Sequence, residues 1–222
     1  TAMVVLGPLP GVERPAIAVV VPTLTGHAVL LDAGANAECK ARHLVQFAIM
    51  GHIFARDILG LPRPRVGLLS IGEEESKGKE LSREAFKELE EEASLNFLGN
   101  VEGRDVFSGT FDVIVCDGFT GNVALKISES VLDTMLHLLR EEFGQDLRGK
   151  AGSLLLVPAF RRFKKRVDPS EYGGAPLLGV NGVCFIGHGR STGKAIKNAI
   201  RAAGECVASK VIQHIREGIA LG

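Results

Sequence analysis

Four times along this chain a short apolar run, rich in β-branched residues, ends in a small-residue turn that leads into a helical pattern. The turns are Asp32-Ala33-Gly34-Ala35-Asn36, Gly72-Glu73-Glu74-Glu75-Ser76-Lys77-Gly78, Asp117-Gly118-Phe119-Thr120-Gly121-Asn122 and Gly187-His188-Gly189-Arg190-Ser191-Thr192-Gly193. The strands before them are expected at residues 28–31, 66–70, 113–116 and 182–186, with others at 16–21 and 96–98. Helices are expected at about 39–59, 81–93, 122–143, 151–166 and 194–215, where apolar residues recur every three or four positions. Strands alternating with helices imply an α/β class with a mostly parallel sheet, because each parallel crossover lays a helix on a sheet face. Residues 144–175, polar, glycine-rich and basic, interrupt the alternation and are taken as an excursion from one domain over residues 1–222. Residues 1–7 look like the end of a helix, so the chain is expected to be part of a larger domain.

Composition narrows the function. With 45% apolar residues in 222, the chain has enough apolar material for one sizeable core and is not disordered. Its 26 basic and 26 acidic side chains give no cationic excess, and Trp is absent, which argues against a nucleic-acid partner. Cys39, Cys116, Cys184 and Cys206 form no Cys-x-x-Cys pair and are expected to be free thiols in a reducing cytoplasm. The six histidines show no paired ligand spacing, so neither a metal nor another cofactor is expected. The longest apolar stretch, 16–24, contains Pro22 and falls short of the roughly 20 residues of a membrane helix.

At the carboxyl edge of a parallel sheet, all four turns would face the ligand. Glycine allows a close backbone approach, and the helix that follows offers unpaired N–H groups and a positive dipole end. Four such turns point to an anion, most simply phosphate. Two familiar motifs fail: Gly189 to Gly193-Lys194-Ala195 is one residue short of a P-loop and lacks its Ser/Thr, and Gly187-x-Gly189-x-x-x-Gly193 is one residue too long for a dinucleotide loop. Asp32 and Asp117 either meet substrate or cap their own turns. Lys126, early in a helix that leaves a glycine turn, is a stronger anion ligand than Lys77, and either is otherwise a surface lysine. His188 suits proton transfer, or is a turn histidine in solvent.

The blocks Asp32 to Asn36, Gly67 to Gly78, Val115 to Asn122, Ser170 to Gly182 and His188-Gly189-x-Ser191 with Ala195 to Ile200 resemble the bacterial phosphate acyltransferase family of phospholipid synthesis. The resemblance implies a three-layer α/β/α sandwich of the isocitrate/isopropylmalate dehydrogenase-like kind, usually dimeric. It also implies transfer of a long-chain acyl group from acyl carrier protein to inorganic phosphate. Family members carry a further N-terminal segment of about 100 residues, consistent with a larger domain, with two glycine turns not present here. On this reading Asn122, Lys126 and the turn Gly118, Thr120, Gly121 face phosphate. Asp32, Gly34, Asn36, Asp117, Tyr172, Gly173 and Gly174 line the substrate. His188, Gly189 and Ser191 receive the thioester oxygen or the departing sulfur, and Lys77 holds either anion. No protein nucleophile is needed, since thiolate is already a fair leaving group.

Within the excursion, Leu154, Leu155, Leu156 and Phe160 precede Arg161, Arg162, Lys164 and Lys165. An apolar tip beside cations is the pattern of a segment lying on an anionic membrane, on the inner face of the cell membrane. The same cations would suit acidic acyl carrier protein, or the leucines would pack in a dimer's helical bundle. Two other functions stay open: a phosphate acetyl- or butyryltransferase using coenzyme A thioesters, and a non-catalytic membrane scaffold of lipid synthesis.

Overall fold

The computed structural model describes residues 2–167, 173–187, 189 and 191–221. Seven strands form one sheet in the order β4-β3-β5-β2-β1-β6-β7. In chain order they are β1 (Ala16–Pro22), β2 (His27–Leu31), β3 (Arg65–Leu69), β4 (Asn96–Val101), β5 (Val113–Val115), β6 (Ala175–Leu178) and β7 (Phe185–Ile186). The helices are α1 (Ala2–Val5), α2 (Ala41–Ile58), α3 (Glu80–Glu91), α4 (Gly118–Gly144), α5 (Leu147–Val167), α6 (Gly193–Ala208) and α7 (Val211–Leu221).

The α/β class holds, and the sheet is mixed. Strands β4, β3, β5 and β2 pair in parallel. The pairs β2–β1, β1–β6 and β6–β7 are antiparallel. The cause of the first reversal is local: Pro22 pairs with His27, and Thr23 N–H donates to the Gly26 carbonyl at 2.9 Å. A four-residue loop makes a hairpin, whereas a parallel connection needs a dozen residues or more. Strand β6 was not anticipated. It is four residues long and contains Pro176, a residue that ordinarily demotes a run from strand to edge.

Side chains alternate across the sheet and build two apolar layers. Ala16, Ala18, Val29, Leu31, Val66, Leu68, Val113 and Val115 face α2, α3 and α7, packing against Phe47, Met50, Leu89 and Ile215. Ala28, Leu30 and Ile114 face the other way, onto Val106 and Phe111. On this second face lie α4, which touches β2, and α5, which touches β1. The central strands are buried on both sides, as covered parallel strands must be.

Two helical expectations change. The closing helix is broken into α6 and α7 where Lys210 takes a left-handed φ of 55°. That break turns Val211, Ile215 and Ile219 inward. Helix α4 starts at Gly118 rather than 122 and runs for 27 residues, about 40 Å. It folds back through residues 145–146 into α5, with Phe143 and Phe160 edge to face at 5.8 Å. Arg166 ties the end of α5 to the β1–β2 loop, donating to the carbonyls of Thr23 at 2.7 Å and Leu24 at 2.9 Å. The leucine-rich segment is therefore not the tip of the excursion. Leu154, Leu155 and Leu156 sit on the flank of α5, and Leu155 is 83% exposed.

Candidate functional site

Because β3, β5 and β2 are parallel neighbours, their turns (71–78, 117–122 and 32–36) stand side by side at one edge, spaced by about 4.8 Å per strand. The fourth turn does not join them. Ile186 pairs with Ala175 at the start of β6, so β7 runs against β2 and its exit turn leaves toward the other edge. Gly187, Gly189 and Ser191 are thus separated from the first three turns, against the expectation of a common edge. His188 and Tyr172 lie outside the described residues, as do Ser170 and Glu171.

Asp32 is fully buried and is the hub of its turn. Its carboxylate accepts from the N–H groups of Ile17 at 3.1 Å, Gly34 at 3.0 Å, Ala35 at 2.9 Å and Asn36 at 2.7 Å, and from Asn36 Nδ2 at 2.9 Å. Five donors occupy the lone pairs of a carboxylate. Asp32 therefore shapes the turn and has no acceptor capacity left for a substrate. Asn36 is similarly engaged, donating also to the Pro15 carbonyl at 2.8 Å.

The third turn locks onto the first. Gly118 N–H donates to the Asn36 carbonyl at 2.8 Å, and Cys116 N–H to the Leu31 carbonyl at 2.7 Å. A Cβ at Gly121 would fall onto the Asp32 carbonyl oxygen, so only glycine lets the two backbones meet here. Asp117 caps α4, accepting from Thr120 N–H and Thr120 Oγ1, both at 2.8 Å. Gly121 N–H donates to the Asp117 carbonyl at 2.9 Å. Three of the first four N–H groups of α4 are consequently spent within the protein. The turn positions a ligand site more than it cradles an ion with its own backbone.

What the framework presents outward is Asn122 and Lys126. The Asn122 side chain lies against Gly34, 3.4 Å from where a Cβ would stand, and is exposed one turn into α4. Lys126, one turn further, is paired with Glu129 at 2.9 Å, with Lys126 exposed and Glu129 partly so. Such a pair stabilises by at most about 1 kcal/mol, so an anion can draw Lys126 away at little cost. Lys77 is exposed in the neighbouring turn, where Glu73 meets Arg104 at 3.3 Å. Gly173 and Gly174 serve packing: a Cβ on Gly173, at φ 80°, would overlap the α6 backbone at Asn198 and Ala199.

No thiol here is poised to attack. Burial pushes the Cys39 thiol up to about 11 and the Cys116 thiol well above its ordinary value, so both stay protonated at neutral pH. Among the described residues no group of three or more His, Cys, Asp and Glu is arranged to hold a metal ion. Chemically, the site is a rigid base whose Asp32 and Asp117 carboxylates are hydrogen-bonded within the protein, carrying an amide and one or two ammonium groups at the start of a long helix, which suits an anionic ligand.

A phosphate acyltransferase of Acidobacterium capsulatum is 56% identical over 220 residues, covering 99% of this chain and 65% of the relative. One from Aquifex aeolicus is 56% identical over 194 residues, 87% of this chain and 57% of the relative. The chain thus spans somewhat less than two thirds of these relatives. Among solved structures, a phosphotransacetylase from Streptococcus pyogenes superposes with a TM-score of 0.61 at 17% identity, over 96% of this chain and 58% of that one. A branched-chain phosphotransacylase from Enterococcus faecalis gives 0.54 at 15% identity, over 88% and 66%. These two show that the fold is shared. The family model described as "Fatty acid synthesis protein" matches residues 1–214, and the chain belongs to that family.

Proposed function

We propose that this protein transfers a long-chain acyl group from the thioester of acyl carrier protein to inorganic phosphate, giving acyl phosphate for membrane phospholipid synthesis. The observation that carries the reading is the row of three turns at one sheet edge, topped by Asn122 and Lys126, in a chain of the fatty acid synthesis family. A phosphate oxygen attacks the carbonyl carbon and a C–O bond forms. The tetrahedral oxyanion collapses, the C–S bond breaks, and the pantetheine thiolate leaves. Asn122 and Lys126 hold the phosphate, and Lys77 meets the oxyanion from the adjacent turn. Gly189 and Ser191 follow β7 at the other edge, so they are given the carrier end of the substrate, and the family resemblance adds His188 to them.

Phosphate-dependent thiol release from palmitoyl-acyl carrier protein, with hydroxylamine to trap acyl phosphate, tests the proposal. Lys126→Ala and Asn122→Ala are each expected to raise KM for phosphate at least tenfold, about 1.4 kcal/mol. His188→Ala is expected to raise KM for the carrier and leave kcat within about twofold, well short of the loss of a general acid-base group. Thiol release that ignores phosphate would sink the reading. Equal turnover of coenzyme A thioesters would favour the second reading, a small-acyl phosphotransacylase, for which the shared fold of the solved neighbours speaks.

Peripheral membrane contact belongs to the same proposal. Leu154 and Leu155 on α5 are exposed, followed two turns later by exposed Arg161, Arg162, Lys164 and Lys165. Among the described residues no helix is long and apolar enough to cross a membrane. Flotation with anionic vesicles is expected to be lost in a Leu154→Asp, Leu155→Asp double variant, and undiminished flotation would remove α5 as the contact.

A further inference from the structure

On the sheet face away from α4, the second half of α2 meets α7 and the loop before β4 around a pocket of about 410 Å³. That volume is in the range of small-molecule sites. Residues 49, 52, 53 and 56 share one face of α2, and 214, 217, 218 and 221 one face of α7, at the spacing of helix neighbours. Gly218 lets the two faces meet: a Cβ there would stand 2.7 Å from Ile53 Cδ1.

A carboxylate outside the lining fixes the polar groups within it. The Asp57 side chain, 9% exposed, accepts from Arg56 Nε at 2.7 Å and from His214 Nδ1 at 2.6 Å. Burial alone would raise the Asp57 carboxyl, and the hydrogen bonds and charges of Arg56 and His214 override it and hold the group below its ordinary value. Asp57 is therefore ionised at neutral pH, and the hydrogen it shares with His214 belongs to the ring. Both Nη groups of Arg56 and the Nε2 of His214 are left for the pocket. His52 Nδ1, in the same lining, is buried with no partner among the described residues, an unmet polar atom. Ser94 adds a hydroxyl. Glu217, the one carboxylate of the lining, is exposed and held by Gln213 Nε2 at 2.8 Å. A ligand on the Nη groups leaves Arg56 Nε on Asp57, so no carboxylate loses its partner.

These groups suit a phosphate monoester better than a carboxylate. The guanidinium fork takes two oxygens side by side. With Nδ1–H given to Asp57, the neutral His214 ring faces the pocket with a lone pair on Nε2, so the ligand must bring a proton. A phosphate monoester, with a second pKa of about 6, carries one on its own oxygen or passes it to the ring, whereas a carboxylate at neutral pH has none. Ile49, Ile53, Leu95 and Leu221 supply apolar contact for an organic body. We propose that this pocket is a second anion site, taking a soluble phosphate monoester with a small apolar body on Arg56 and His214. It lies about 22 Å along α2 from Ala41, where the helix leaves the Asp32 turn, and it does not depend on the acyltransfer reading.

The experiment is titration of the protein with phenyl phosphate, inorganic phosphate and benzyl alcohol, with affinity read from the histidine ring signals in NMR. Phenyl phosphate is expected to move the His52 and His214 signals and leave that of His137, on α4 across the sheet. Arg56→Gln should weaken this binding at least tenfold, the loss of a charged bidentate contact. Ser94→Trp, in an exposed turn, fills the pocket and should weaken it as much, even if Arg56→Gln disturbs the fold. Lys126→Ala should leave it within about twofold, since Lys126 stands at the turn edge. Wild-type affinity in folded Arg56→Gln and Ser94→Trp overturns the proposal, as do ring signals that phenyl phosphate leaves unmoved. Benzyl alcohol binding as tightly as phenyl phosphate means a merely apolar hole, and inorganic phosphate doing so means a charge site with no body. Either result overturns it, as does binding lost in Lys126→Ala, which would put the ligand at the turn edge.

Discussion

At the residue scale the carboxylates matter most for what they hold together. Asp32→Asn removes one acceptor and turns an amide toward backbone donors, leaving at least two buried N–H groups unpaired. At about 1–3 kcal/mol each, a destabilisation of about 3 kcal/mol is expected in chemical denaturation. Asp112 gives the pH-dependent counterpart. Arg65 grips it with Nε to Oδ2 and Nη2 to Oδ1, both at 2.9 Å. Burial alone would raise the Asp112 carboxyl, and the Arg65 hydrogen bonds and charge override it and hold the group below its ordinary value. A depressed pKa means stability that is present above the unfolded value and lost as pH falls through the folded one. The gap between wild type and Asp112→Asn, about 1–3 kcal/mol at pH 7, should therefore close below about pH 4 in denaturation curves. The sequence showed Asp32 and Asp117 as turn residues but left open whether they meet substrate or cap. Deciding that took the identity of their donors, one of which, Ile17 N–H, comes from another strand.

At the scale of elements, the long apolar runs were readable because periodicity is a local property: β1, β2, β3, β5 and α2 lie within a residue or two of their expected places. The short pieces were not. β6 exists because Leu177 N–H finds the Cys184 carbonyl at 2.8 Å and Ile17 lies alongside, partners that no window of sequence contains. The α6–α7 break depends on a non-glycine residue in a left-handed conformation. Lys210→Gly relieves that conformation at a helix end and is expected to stabilise by up to about 1 kcal/mol in thermal melts. Gly121→Ala is expected to have the opposite effect. Its methyl group would drive α4 off the Asp32 turn, so phosphate-dependent turnover should fall together with stability, and a fully active variant would mean the turns need not touch.

For the whole molecule, an apolar stripe along α4 stays exposed among the described residues. Phe119, Ile127, Val131, Met135 and Leu138 are each 48–62% exposed, on one long helix that α5 covers only in part. Exposed apolar area of this extent is a mark of an interface. On the dimer that the family resemblance implies, we propose this stripe as the contact, and Val131→Glu with Leu138→Glu is expected to convert dimer to monomer in analytical ultracentrifugation. A monomeric wild type would remove the stripe from that role.

The sequence by itself determined the class, the order of the main elements and the position of each glycine turn, because apolar spacing and turn chemistry act within a dozen residues. It also contained the family blocks at Asp32, Gly72, Asp117 and Gly173. Only the tertiary structure decided which turns share an edge. That depends on the direction of each strand, and three reversals after β2 send the Gly187 turn away from the others. It likewise decided that Asp32 is a scaffold while Lys126 and Asn122 face outward. Hydrogen-bond saturation and exposure are set by whichever neighbours the folded chain brings near, and sequence distance does not measure that.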